Sequence, residues 1–160
     1  MLKLKFIVTG ALSEKHWRDA CEEYKKRLSA TCKVSEVQFK EEKLSGEPSE
    51  KEIEKALIKE GERIKAETGE RSITVAMCIE GKQMSSPELA EYLDRKATEG
   101  FSEINFIIGS SYGLSPEIKN KADLKLSMSK LTFPHQLARV MLYEAVYRAT
   151  EINKGTKYHK

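Results

Sequence analysis

The sequence predicts an α/β fold of Rossmann-like type, a mostly parallel sheet with helices on both faces. Strand-like and helix-like segments alternate along the whole of the 160 residues, the pattern of repeated strand–helix–strand units with right-handed crossovers. The segments 72–79 and 104–108 are continuous apolar and β-branched runs, as expected of strands covered on both faces. No internal repeat and no domain boundary interrupts the series, so residues 1–160 are expected to form one domain.

The elements follow in order. Residues 2–8 place Leu2, Leu4, Phe6 and Val8 on one side, the period-two pattern of a strand. A helix capped by Ser13 should come next, with Trp17, Cys21, Tyr24 and Leu28 as its buried stripe. A second strand fits 34–39, and 40–48, rich in turn residues and charge, reads as an exposed loop. Ser49-Glu50-Lys51-Glu52 is a capping box that opens a second helix, with Ile53, Leu57 and Ile64 along one face and Gly69 as its stop. After the strand 72–79, Ser86-Pro87 opens a third helix that Gly100 ends. The strand 104–108 leads to a short helix at Ser115-Pro116 and a short strand 124–128. Pro134 starts the last helix, which runs to about Asn153 with Leu137, Met141, Ala145 and Ile152 as its apolar stripe.

Composition narrows the class. Three cysteines, Cys21, Cys32 and Cys78, fit neither a disulfide framework nor a Cys-x-x-Cys metal knuckle, which points to a reducing cytoplasm and to no metal. No apolar run approaches membrane-spanning length, and the first residues alternate like a strand, unlike a signal peptide, so no membrane association is expected. The net charge of +3 leaves nucleic-acid binding open. Its distribution is more telling: acidic residues crowd 41–54, while Arg139, Arg148, Lys154, Lys157 and Lys160 gather near the end.

In such sheets ligands bind outside the carboxyl ends of the strands, so the loops after residues 79, 108 and 128 are where chemistry is expected. The second carries Gly109-Ser110-Ser111-Tyr112-Gly113, whose glycines allow a sharp turn and close backbone approach; taken alone it is equally an ordinary strand-to-helix turn. The first strand meets only Gly10, so the Gly-x-Gly-x-x-Gly fingerprint of dinucleotide enzymes and common Rossmann methyltransferases is missing. On the last helix, Glu144 and Arg148 make a favourable i, i+4 pair, whereas Arg139 faces Tyr143 at that spacing and is freer for a ligand. His135, in the first turn, reads as a residue satisfied by local backbone. The final Tyr158-His159-Lys160 joins an aromatic, an imidazole and a cation, groups that stack on a base, handle a proton and pair with phosphate. A frayed terminus is the plainer reading of the same residues.

Taken together, these segments resemble the small SPOUT-type methyltransferases that act on pseudouridine in large-subunit ribosomal RNA, the RlmH family. The likeness covers nearly the whole chain. It rests on 4–10, Glu60-Gly61, Ile79-Glu80-Gly81-Lys82, Ile108-Gly109 with Gly113-Leu114, the run from Leu126 through Thr132-Phe133-Pro134-His135-Gln136-Leu137, Tyr147-Arg148-Ala149, Gly155 and the terminal Tyr158-His159-Lys160. One departure is Ser110, where such proteins carry a second glycine; a side chain there narrows the loop or replaces a backbone approach. The resemblance implies a trefoil knot in the C-terminal third, an exception to the rule against threaded loops, with knot and cofactor site in roughly 77–152. It implies a homodimer that binds S-adenosyl-L-methionine through Met77, Gly109 and Met128, Ser129, Lys130, Leu131, Thr132 and Phe133. The reaction implied is methylation of the N3 nitrogen of a pseudouridine. Tyr158, His159 and Arg139 are the catalytic candidates, with Lys157, Lys160 and Arg139 against RNA. A ribosome-binding assembly factor without turnover and a small-molecule methyltransferase remain the alternatives.

Overall fold

The computed structural model describes residues 1–160. Its elements are β1 (Lys3–Thr9), α1 (Lys15–Leu28), β2 (Lys33–Phe39), α2 (Glu50–Ala66), β3 (Ser72–Gln83), α3 (Ser86–Thr98), β4 (Glu103–Ile108), α4 (Pro116–Lys121), β5 (Leu124–Ser127) and α5 (His135–Lys154). The five strands form one sheet in the order β2-β1-β4-β3-β5. All four strand pairs are parallel.

Alternation along each strand sorts side chains between two cores. Leu4, Phe6 and Val8 of β1, Ile73 and Val75 of β3, and Ile104 and Phe106 of β4 meet Cys21 and Leu28 of α1, Leu89 and Leu93 of α3, and Leu142, Tyr143 and Val146 of α5. Ile7, Ala76 and Ile107 point the other way, to Ile64 of α2 and Ile118 of α4. The helices therefore cover both faces, as the doubly apolar strands require. The larger core centres on Phe6, stacked on Phe106 with ring centroids 5.4 Å apart and edge-on to Tyr143 at 4.3 Å. No helix is long and apolar enough to cross a membrane.

Several local expectations need correction. Ser13 does not cap α1; its N–H donates to Gln136 Oε1 and its hydroxyl accepts from Gln136 Nε2, both at 3.1 Å, so tertiary pairing replaces the cap. Trp17 and Tyr24 are only half-buried, as are Ile53 and Leu57. Helix α2 ends at Ala66, before Gly69, although Ser49 does cap its start by accepting from the Glu52 N–H. Strand β3 runs past Ile79 to Gln83. Met77 and Lys82 both register with Leu126 of β5, so residues 78–81 bulge out of the ladder. Helix α5 buries Arg139, Leu142, Tyr143, Val146, Ala149, Thr150 and Glu151, while the predicted stripe of Leu137, Met141, Ala145 and Ile152 stays half-exposed. Gly155, at φ 72°, ends it in the left-handed conformation that glycine adopts without strain.

Candidate active site

At the carboxyl edge of β3, β4 and β5 lies an open cavity of about 190 Å³. Ten of its thirteen lining residues are hydrophobic. Met77 and Ile79 of the β3 bulge form one wall, Ile108 and Leu126 the floor, Met128, Ser129, Leu131, Thr132 and Phe133 the opposite wall, and Ala138 and Leu142 of α5 the back. The connection from β5 to α5 is built for binding. Its only protein hydrogen bonds are local, from the Ser127 hydroxyl to the Ser129 carbonyl and from the Leu131 N–H to Ser129 Oγ. The backbone N–H groups of Lys130, Thr132 and Phe133 have no partner in the chain. Apolar walls beside free amides suit a flat heterocycle with a polar edge.

Six of the eight expected cofactor residues therefore line this cavity. Gly109 and Lys130 do not, Lys130 being exposed. The need for glycine at 109 is set by its own turn: a Cβ there would collide with the Gly113 carbonyl and come within 2.9 Å of Leu114 Cδ2. Seven lining residues lie outside the expected set: Ile108, Leu126 and Ser127 at the strand ends, and Cys78, Ile79, Ala138 and Leu142. The bulge and the angle of α5 that bring in the last four are tertiary features with no local signature.

The turn after β4 is tightly held. Gly113 N–H donates to the Ser110 carbonyl at 2.8 Å, and these two residues form an isolated antiparallel bridge. Ser110 Oγ donates to the buried Glu60 of α2 at 2.9 Å, and Glu60 also accepts from the Glu42 N–H. Ser111 N–H donates to Glu41 Oε1 at 3.1 Å. Ser110 is thus absent from the cavity lining and anchors the turn from behind. The segment 40–48, expected to be a plain exposed loop, supplies that anchor. Glu41 also nears Gly10, where an added Cβ would lie 3.2 Å from its Oε1 and 3.4 Å from His135 Nε2. Contrary to the expectation that local backbone satisfies it, His135 Nε2 is buried without a hydrogen-bond partner, and burial lowers the ring's pKa.

Arg139 is the main correction among the site residues. It is 2% exposed, and Nη2 donates to Glu36 Oε1 at 2.9 Å and Gln38 Oε1 at 3.1 Å on β2. The phenol of Tyr143 donates to the other Glu36 oxygen. Helical spacing considers only partners on the same helix, and this one lies across the sheet. Arg139 is a buried strut with no face toward RNA.

The tail is not frayed. Tyr158 packs edge-on against Tyr147 at 4.8 Å, lies under the Arg148 guanidinium at 4.7 Å and donates to Glu144 at 3.1 Å. Burial and the Glu144 carboxylate push its pKa up to about 12. Arg148 pairs with Glu144 at 2.6 Å and stands 3.3 Å from His159 Nδ1. Arginine only donates, so Nδ1 accepts and the ring proton sits on Nε2. Lys157 and Lys160 are exposed. Glu144 lines a second, neighbouring hollow with Met84, Leu89, Val140, Met141 and Ala145, separated from the first by Leu126, Ser127 and Met128, which line both. Neither Tyr158 nor His159 lines the first cavity of its own chain.

An all-parallel sheet whose final helix and preceding loop close a cavity over the strand ends is the setting of a ligand-binding α/β enzyme, and sequence comparison gives its class. The family described as "Predicted SPOUT methyltransferase" matches residues 2–159, and the chain belongs to it. It is 44% identical to Ribosomal RNA large subunit methyltransferase H of Streptococcus thermophilus over 159 residues, 99% of this chain and 100% of that protein. It is 47% identical to the protein of the same name from Caldicellulosiruptor saccharolyticus over 157 residues, 98% of this chain and 99% of that one. A solved structure titled as a probable methylase family protein from Haemophilus influenzae Rd KW20 aligns with a TM-score of 0.51 over 99% of this chain and 70% of that chain; at 13% identity this is a likeness of fold alone.

Proposed function

We propose that this chain methylates the N3 nitrogen of a pseudouridine in large-subunit ribosomal RNA, using S-adenosyl-L-methionine, as a cytoplasmic homodimer with its knot within 77–152. The observation that carries the reading is the cavity at the ends of β3, β4 and β5, beside relatives named ribosomal RNA large subunit methyltransferase that are more than 40% identical over essentially their full length. The residues fit the cofactor. Met77, Leu126 and Leu142 would give it apolar contact, and the unpartnered amides between Lys130 and Phe133 would be free to hydrogen-bond its polar edge. When bound, S-adenosyl-L-methionine supplies an electrophilic methyl group on a sulfonium.

The chain's own residues have three tasks. Phe133 and Leu131, the latter 71% exposed in the free chain, would cover the bound cofactor. Tyr158 stacks on or hydrogen-bonds the acceptor base, and Lys157 and Lys160 meet phosphate. An imide nitrogen reacts once its proton has passed to solvent water, so the ring gains negative charge on its oxygens. His159, with Nδ1 engaged by Arg148, offers an Nε2–H suited to such an oxygen. That geometry favours holding the base over removing its proton. The half-exposed apolar side of α5 supports a subunit interface, across which the tail of one subunit approaches the cavity of the other.

The test is truncation after Lys157. Calorimetry should show S-adenosyl-L-methionine bound as tightly as by the full chain, while mass spectrometry of ribosomal RNA from ribosomes lacking the mark should show transfer by the full chain only. Equal transfer by both removes the tail from the site. No cofactor binding by the full chain at millimolar concentration removes the enzyme reading.

A further inference from the structure

We propose that Glu144 is the positioning residue of the terminal segment: through one carboxylate oxygen it fixes Tyr158 directly and His159 by way of Arg148, so that both meet the methyl acceptor in a set orientation. This deepens the reading of the chain as an RNA methyltransferase and rests on it.

The geometry is that of a bracket. Glu144 Oε1 accepts three hydrogen bonds, from Arg148 Nε at 2.9 Å, from Arg148 Nη2 at 2.6 Å and from the Tyr158 hydroxyl at 3.1 Å. A guanidinium is planar, so two nitrogens held on one carboxylate fix where the third points. That third nitrogen, Nη1, reaches His159 Nδ1 at 3.3 Å, and the guanidinium carbon stands 4.7 Å from the centre of the Tyr158 ring. One side chain of α5 therefore sets the phenol and, through the fork, the imidazole and its tautomer.

Stability does not account for the arrangement. Glu144 and Arg148 are a partly exposed i, i+4 pair, a kind that contributes little to folding. The tail has a separate hold in Thr156, whose hydroxyl donates to Glu151 at 2.7 Å and accepts from the Tyr158 N–H at 3.4 Å. That hold acts on backbone and leaves the side chains of Tyr158 and His159 free to rotate. The bracket removes that freedom before RNA arrives, and side chains ordered in advance lose less entropy on contact.

The bracket also decides which groups of the tail are left for RNA. With its hydroxyl given to Glu144, Tyr158 acts through its ring, while His159 keeps Nε2–H for an acceptor oxygen. Glu144 is the one charged residue that lines the second hollow, on the half-exposed side of α5. The anchor thus stands on the face assigned to the subunit interface, from which the tail approaches the other cavity.

The test compares Glu144→Ala and Glu144→Gln with the wild type in the full chain. Release of the bracket predicts that the alanine variant lowers kcat on ribosomes lacking the mark about 10- to 100-fold, with KM and cofactor affinity within about twofold and the light-scattering mass unchanged. Glutamine, which keeps an acceptor oxygen, should recover most of the rate. Two signatures need no turnover. Imidazole nitrogen NMR should find His159 in its Nε2–H form in the wild type and in a mixture of forms in the alanine variant. The Tyr158 phenol, pushed up to about 12 by burial and Glu144, should ionise at lower pH in both variants once the carboxylate is gone. Wild-type kcat in the alanine variant overturns the proposal and leaves the methyltransferase reading intact. So does a loss of kcat with both signatures unchanged, or one accompanied by a fall to the single-chain mass, which would make Glu144 an interface residue. If the alanine variant does not fold, an unchanged phenol in the glutamine variant overturns the proposal. A wild-type protein that binds cofactor but methylates no ribosome overturns both readings.

Discussion

Arg139 shows how one buried cation can organise a site without touching a ligand. Its guanidinium ties the first turns of α5 to Glu36 and Gln38 on β2 and, more distantly, to the Gly10 carbonyl at 3.5 Å. Ala138 and Leu142, on the neighbouring face of the same helix, line the cavity at the strand ends. Removing one partner of a buried pair strands the other, a cost of about 3 to 5 kcal/mol. Arg139→Ala should therefore lower the denaturant midpoint by that order, and whatever fraction stays folded should keep the wild-type KM for ribosomes. A raised KM with unchanged stability would instead return Arg139 to the RNA surface. The same network buries Cys21, 1% exposed, whose thiol is pushed up to about 11 mainly by burial, so it stays protonated and inert.

Among the elements, the bulge in β3 does most to shape the cavity. Residues 78–81 leave the ladder and swing Ile79 to the cavity wall, and Gly81 lets the β5 backbone pass close by. A Cβ on Gly81 would lie 2.8 Å from the Lys125 carbonyl carbon and oxygen, neither of which can rotate away. Gly81→Ala should cost about 1 to 3 kcal/mol, as overpacking does. It should also weaken cofactor binding by displacing Ile79, which calorimetry against the wild type would detect; unchanged affinity would mean the bulge does not shape the site. Much of this architecture is written locally. Strand alternation in Leu4, Phe6 and Val8, the caps at Ser49 and Ser115, and Pro134 before α5 all mark their elements correctly. The bulge is not readable, because Glu80-Gly81-Lys82 has the composition of any turn. Nor is the Arg139–Glu36 pair, the Ser110–Glu60 bond or the folded-back tail, since each joins segments far apart in sequence or depends on how α5 is rotated. The loop 128–133 is legible from its place beyond a strand's carboxyl end and from the resemblance; its free amides emerge once the strand and helix on either side are in place.

At the scale of the whole molecule, the second face of α5 lacks a cover within the chain. Leu137, Val140, Met141 and Ala145 are half-exposed, and the last three line a shallow hollow with Met84 that a lone chain leaves wet. A second copy packed there would bury them and place two tails and two cavities on one side of the assembly. Light scattering should give twice the chain mass, and Met141→Lys, which sets a charge in the middle of that face, should shift it toward the single-chain value. Failure of the lysine to disturb the assembly would place the interface elsewhere.

The strut between α5 and β2 also bears on time. Glu36 and Arg139 are separated by 103 residues, and Tyr143 by 107. Closing so long a segment is slow and entropically unfavourable, so contacts of this range tend to form after the transition state has been crossed. Interactions made that late do little to hasten folding; they retard escape from the native state. A chain whose last helix closes its active site thereby gains persistence where it is needed, in how long an assembled cavity lasts before it opens.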